Sequence, residues 1–592
     1  MKHVKRALSV ALITTSLLVA ACSGGSEESP APGGQGGALP PPPPPASPPP
    51  PPPPPPPSSE ARGDTTLSSA EEVARFLMQA SFGGDLETIE QLAGTNAEAW
   101  LSNEFAKPTT LLLPQVQARV QTTADRFQDS HSDLYWDALL AGDDVLRQRM
   151  VFALSQIFVV SDRPFNTPAL RMGYYQDVLY RNAFGNYRDL LEDITFSPVM
   201  AEYLTYIRNQ KGDPVTGRMP DENFAREIMQ LFSIGLIELN MDGTPRLEAG
   251  QEIETYDNID ITNLARVFTG MGLKGGDFFD EDDDNSTGGN YDRLVVYDDY
   301  HSTLEKSFLT ITIPENTRGD ESIRRALDEI FAHPNVAPFV SKQLIQRFTD
   351  SDPNPDYVER VATAFEQGTF VSENGGSFGA GERGDLQATL AAILLDPSIH
   401  GDVDDLGVTD GKLREPILRF AHWFRAFNVA PVDSRIEFRL ADTSKNAFGL
   451  AQHPFKSPSV FNFYRPGYVA PGTETGEQNM TVPEFQIVNE GSAIGYINFM
   501  TDFTFNQTGT ADGSALEDPD YTTEIALAND PQALVEHLNL LMTAGQMNTQ
   551  EIEAVVDAVA AYPLGFDQRA EQTRVEIAVT LITNSPSYAI IR

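Results

Sequence analysis

Pro220-Asp221-Glu222-Asn223-Phe224-Ala225-Arg226-Glu227-Ile228-Met229-Gln230-Leu231-Phe232-Ser233-Ile234-Gly235 reads as one helix with its own start and stop. Asp221 suits the N-cap, the acids beside it favour the positive end of the helix dipole, and Gly235 supplies a C-terminal stop. Phe224, Ile228, Leu231 and Phe232 recur at three- and four-residue spacing and form an apolar stripe. Asn223, Glu227 and Gln230 lie along one side of it, while Glu222 and Arg226 are spaced i, i+4 for an ion pair. Arg226 stands between Phe224 and Ile228, and its guanidinium is expected at the edge of the stripe, in a buried pair with a nearby carboxylate. A second capped segment runs from Asp260 through Leu264, Val267 and Phe268 to Gly270.

The same period extends outward in both directions. Ser69 caps a segment carrying Val73, Phe76, Leu77 and Ala80, closed by Gly83 and Gly84, and Leu146, Met150, Leu154, Ile157 and Phe158 make another stripe behind Asp143 and Asp144. Comparable patterns recur at 320–332, 334–349, 355–368, 385–396, 416–428, 532–543, 549–561 and 569–583. Period-two alternation is confined to short pieces, Arg293–Tyr297 and Phe308–Ile313, expected to pair across the segment containing His301. The fold class is therefore mainly α, a large multi-helix globular domain over 65–592 with a small β insertion near residues 275–315.

The chain has 592 residues, 41% of them hydrophobic, with 84 acids against 42 bases and a single cysteine. A net charge of -42 repels phosphate backbones and excludes nucleic acid as a natural partner. Lys2, Lys5 and Arg6 precede a short apolar run, Ala7–Ala21, and Val19-Ala20-Ala21-Cys22 resembles a bacterial lipobox. Residues 1–21 are expected to be a lipoprotein signal peptide, with Cys22 lipidated to anchor the protein in the membrane. Ser23 after the cysteine resembles the outer-membrane-sorted class, so an exported, lipid-anchored cell-envelope protein is expected. Residues 22–64 are expected to form a disordered Pro-rich tether whose runs favour polyproline II, giving Pro40–Pro57 an expected reach of about 55 Å at roughly 3.1 Å per residue.

Several stretches resemble, in order, the bacterial family known as domain of unknown function 1800. They are Ala74–Leu77 with Ser81–Gly83, Ser197–Leu204, the helix quoted first, Asn263–Gly270, His333–Lys342, Arg383–Leu386, Lys412–Pro416 and Ser457–Phe463. The resemblance implies an exported, largely helical protein, often encoded beside a secreted sulfatase- or phosphatase-like protein, and it implies no established reaction. Where the family often has His-Asp, this chain has His301-Ser302, with Lys306 farther on.

Candidate chemistry is spread along the chain. Asp280, Asp282 and Asp284 place hard oxygen ligands at the close spacing a calcium loop uses, although the EF-hand pattern is absent. Asn223, Arg226, Glu227 and His301 are candidates for a polar site or, equally, for a structural network. Phe461, Tyr464 and Arg465 sit in an aromatic, Pro-rich stretch suited to stacking on a sugar ring or gripping a partner's carboxylate or sulfate. Gly375-Gly376-Ser377-Phe378-Gly379 fits the nucleophile-elbow spelling but lies among turn residues without the strand and helix that motif needs. Two function classes follow. One is a surface lipoprotein, not an enzyme, that binds a secreted partner protein or an extracellular polymer and assists its assembly or processing. The other is an extracellular hydrolase working through carboxylates and a metal.

Overall fold

In the computed structural model the described residues are 65–122, 130–163, 167–275, 277–279, 291–400, 411–429, 440, 442–447, 449–505 and 519–592. The calcium-loop aspartates Asp280, Asp282 and Asp284, and Cys22 with its signal and tether, lie outside them. Residues 63–592 cluster as one unit.

Helices dominate, and several are buried on every face. Val145–Ser155, Ala169–Asn182, Val336–Phe348, Leu386–Leu394, Pro416–Ala426 and Ala570–Thr583 each bury most of their residues. A helix hemmed in on all sides must carry its polar residues into the core, which is how Arg149, Arg347 and His422 come to be buried. The amphipathic Ala70–Ala80 packs its Val73, Phe76 and Leu77 against this centre, and Ser69 caps it by accepting from the Glu72 N–H. At the C-terminal end Pro531–Thr543, Thr549–Ala560 and Ala570–Thr583 pack on one another.

Strand is limited to five two-stranded antiparallel ribbons among the described residues. Two fall where β structure is expected, but their pairing differs from the expectation. Val295–Val296 pairs with Met271–Gly272, and Lys306–Phe308 pairs with Ile311–Ile313. The reason is local: Leu309, at φ 47°, and Thr310 form the turn, so the alternation read as one strand is itself a hairpin. Lys412–Leu413 pairs with Ile590–Ile591 and ties the C-terminus to the start of helix Pro416–Ala426.

The helix quoted first spans Asn223–Gln230 and packs on Asn258–Val267, with Phe224 4.7 Å from Phe268 edge-on and 4.1 Å from Tyr206 in a stack. It is shorter than its apolar stripe implies, because the chain turns at Leu231–Ile234 before Gly235. Gly235 has φ 70°, and a Cβ there would meet the Phe339 ring at 2.7 Å.

Candidate functional site

The segment before the signature helix is strained. Thr205 and Arg208 have φ near 62° and 59°, conformations a β-branched or long side chain avoids. They are held by specific bonds: Thr205 Oγ1 donates to Asp221 Oδ2 (3.0 Å), the Arg208 N–H donates to the Met271 carbonyl, and Asn209 Oδ1 accepts from the Asp221 N–H. Asp221 still serves the helix start, accepting from the Asn223 N–H at 2.8 Å.

Arg226 is not buried. Its guanidinium lies 3.7 Å from Glu222, and both side chains are 41% exposed. Helical geometry explains the correction: two residues at about 100° each carry Arg226 some 200° around the axis from Phe224, to the side opposite the stripe. Glu227, one residue on, is 6% exposed, and its Oε2 has no hydrogen-bond partner. Burial pushes its pKa up, with Arg226 opposing. Two phenols share its surroundings. Tyr256 is pushed up to about 12 by burial and by Glu227, and its hydroxyl is likewise without a partner. Tyr203 is raised by burial and by Glu227, with Ser457 working the other way.

His301 is engaged in a different cluster. Its Nδ1 donates to the Thr269 carbonyl at 2.9 Å, and its Nε2 lies 3.3 Å from Ser322 Oγ. Burial lowers its pKa to about 4, and after burial the groups acting on it are the Thr269 carbonyl, Lys306, Asp298 and Lys211. Lys306 is fully buried, donates to the Ser302 and Leu304 carbonyls at 2.9 and 3.1 Å, and is lowered to about 8 by that burial. The structure thus places Glu227 within electrostatic reach of two tyrosines and leaves His301 as a bracket between Thr269, just past helix Asn258–Val267, and Ser322 of the helix Gly319–Ala332.

The three aromatic-segment candidates also diverge. Tyr464 points inward, its hydroxyl 3.4 Å from Gln156 Oε1, whereas the exposed Arg465 guanidinium covers Phe461 at 4.6 Å. The cavity beneath, lined by Gln156, Gln452, His453, Ser457 and Asn462, measures about 10 Å³, room for about one water. Ser377 is exposed on the ribbon Phe370–Val371/Ser377–Phe378. Among the described residues no group of three or more His, Cys, Asp or Glu is placed to hold a metal ion.

Two features were not singled out by sequence. The first is a buried ionic network. Lys412 donates to Glu484 and to the Gln346 carbonyl (2.8 Å), with Glu415 at 3.4 Å; Gln156 donates to Glu415 at 2.9 Å and Ser351 to Glu484 at 3.0 Å. Burial works to raise Glu415, but Lys412 and Arg149 outweigh it and hold it low. Glu484 is raised by burial despite Lys412. Arg149, lowered to about 10 by burial, donates to the Arg347 carbonyl and stacks on Phe348 at 4.6 Å.

The second is an open cleft of about 450 Å³, within the size range of small-ligand sites. Leu77, Trp100, Leu140, Val145 and Phe424 supply its apolar lining, and Asp85, Glu104, Lys107, Asp143, Arg425 and Asn428 its polar groups. Its cations are held by the protein: Lys107 pairs with Glu104 (2.5 Å) and donates to the Asp143 carbonyl (2.6 Å), while Arg425 donates to the Leu139 and Gly142 carbonyls. Gly83 shapes one wall. At φ 91° it passes so close to His422 that a Cβ would fall 2.1 Å from the ring. The sequence signal that marks this place is Ser81-Phe82-Gly83-Gly84-Asp85, where a helix stop and the next helix's N-cap are compressed into one turn.

A family model described as protein of unknown function (DUF1800) matches residues 75–590, so the chain belongs to that family. No curated protein and no solved structure matches the chain.

Proposed function

We propose that this family member is an exported, lipid-anchored binding protein. Acyl chains on Cys22 hold it at the outer membrane, and the Pro-rich tether lifts residues 65–592 away from the lipid. The cleft takes up a secreted partner protein, of the sulfatase- or phosphatase-like kind, or an extracellular polymer, and so assists its assembly or processing. The observation that carries this reading is the open cleft of about 450 Å³ whose polar lining is already held in place, Asp85 by the Thr88 N–H and Asn428, and Lys107 and Arg425 by backbone carbonyls. Groups fixed before a ligand arrives lose little freedom on binding, which suits a receptor surface.

The test is capture from membranes with lipidated full-length protein, beside an Ala141→Phe variant. Ala141 is exposed at the cleft, so the added ring fills it without entering the core. The variant is expected to fold normally and lose its captured partner; recovery of the same partner by both proteins counts against the cleft. Cys22→Ala is expected to shift the protein out of the membrane fraction, and unchanged fractionation would refute the anchor. Calcium at Asp280, Asp282 and Asp284 is proposed as a stabilising ion, so millimolar calcium should raise Tm and chelator lower it.

A hydrolase is the second reading, supported by the unpartnered Glu227 Oε2 and Tyr256 hydroxyl. A buried carboxyl with a raised pKa beside phenols is the kind of group that exchanges protons with a substrate. Glu227→Gln should then abolish hydrolysis of a responsive polymer while the protein stays folded, and activity retained in that variant removes the reading.

A further inference from the structure

We infer that the cleft recognises a basic peptide segment, a Lys- or Arg-bearing stretch of the partner protein; this deepens the binding-protein reading and rests on it. The argument is charge complementarity combined with an apolar wall. Lys107 and Arg425 are committed to Glu104 and to the carbonyls of Asp143, Leu139 and Gly142, so the charges the cleft turns toward a ligand are carboxylates. Asp143 is exposed. Asp85 is half-buried and accepts one bond on each oxygen, from the Thr88 N–H (2.9 Å) and from Asn428 (3.2 Å), which leaves further lone pairs for a donor. Thr88 and Asn428 also outweigh the burial that works to raise Asp85, so it is ionised at neutral pH.

The half-buried Trp100 lines the same cleft, its ring 5.2 Å edge-on from Phe76, and Leu77, Leu140 and Val145 add to the apolar lining. A Lys or Arg side chain matches that arrangement: the methylene stem covers the apolar wall, and the cation reaches the indole face or the carboxylates. Other occupants fit less well. The chain's own segment 22–64 carries Glu27, Glu28, Glu60 and Asp64 against Arg62, and a second copy brings another net charge of -42. The same net charge draws a cationic partner toward the protein from a distance.

The experiment uses the chain's own fluorescence. Of its three tryptophans, Trp136 and Trp423 are 1% exposed, so neutral quenching by acrylamide reports Trp100. A hexalysine peptide is expected to protect Trp100 with saturation at one peptide per chain, while hexaglutamate and a neutral chitin oligosaccharide do not. Asp85→Asn with Asp143→Asn should weaken that protection about tenfold, about 1.4 kcal/mol shared between the two carboxylates. Asn keeps the N-cap at position 85. A control pair, Glu248→Gln with Glu252→Gln on an exposed ribbon away from the cleft lining, should leave protection unchanged. Equal weakening in the control pair overturns the inference, since the peptide then follows net charge alone. Protection by the saccharide in place of the peptide overturns it too, while leaving the binding-protein reading standing. Failure of hexalysine, saccharide and captured partner alike to protect Trp100 overturns both.

Discussion

Two charged motifs of this chain look alike on paper and end in opposite environments. Glu222-Asn223-Phe224-Ala225-Arg226 and Lys412-Leu413-Arg414-Glu415 each place an acid and a base three or four residues apart, among apolar neighbours. Arg226 and Glu222 are 41% exposed, whereas Lys412, Glu415 and Glu484 have side chains no more than 1% exposed. The first pair can exchange its partner for water; the second has none to exchange with. Exposed pairs contribute roughly 0–1 kcal/mol, and stranding one member of a buried pair costs about 3–5 kcal/mol. The difference does not come from the residues of either motif. It comes from what packs above them: Glu484 and Gln346 close over Lys412, while the outer face of the signature helix meets solvent at Arg226.

Lys412→Met should therefore have the largest effect, a loss of about 3–5 kcal/mol by urea unfolding, because Glu415 and Glu484 keep their burial and lose their cation. Adding Glu484→Leu should return part of that loss. If the double variant is the less stable of the two, the network is not governed by stranded charge and the comparison breaks.

A pH series sharpens the comparison at His301. Unfolded, it titrates near 6.5; folded, near 4, because burial disfavours the imidazolium. The unfolded chain thus binds the extra proton first, and stability is lost as pH falls from about 6.5 towards 4. The loss is on the order of 3 kcal/mol. His301→Gln should flatten that part of the stability profile relative to the parent, and parallel profiles would mean that His301 is hydrated in the folded protein.

Glu227 gives a smaller effect of opposite sign. Its folded pKa is raised, so its contribution is fully present below the ordinary Glu value and is lost as pH rises through the raised one. Glu227→Gln should then stabilise the protein at pH 7 and bring no gain at pH 4. Destabilisation at pH 7 would show that the carboxylate has found a partner in solution. Arg226→Ala is expected to be the mildest change, within about 1 kcal/mol and smaller still in high salt. A loss of about 3 kcal/mol would return Arg226 to the core.

Legibility followed the range of the interactions. The signature helix and the cap at Ser69 can be read from neighbours within a few residues. The pairing of Val295–Val296 with Met271–Gly272 could not, because a two-residue strand leaves no period to read. The meeting of Glu227, Tyr203 and Tyr256 was half legible: Glu227 was marked by its place beside the stripe, but the tyrosines reach it from other segments. Arg226 falls outside the stripe because its neighbours in sequence, Phe224 and Ile228, are not its neighbours in space: the helix turns them to opposite sides.

By itself the sequence determined what is local or additive. Helical period, caps and stops follow from side-chain spacing; the acidic net charge is a sum; the family is carried by short motifs in a fixed order. The tertiary structure decided which ionisable groups lose water. Desolvation depends on every element packed around a group, so Lys412, Arg149 and His301 acquired their altered chemistry from helices and loops far away in the chain. The cleft arose in the same way: Trp100, Asp85, Asp143 and Arg425 belong to four separate stretches, and only packing gave them a common wall.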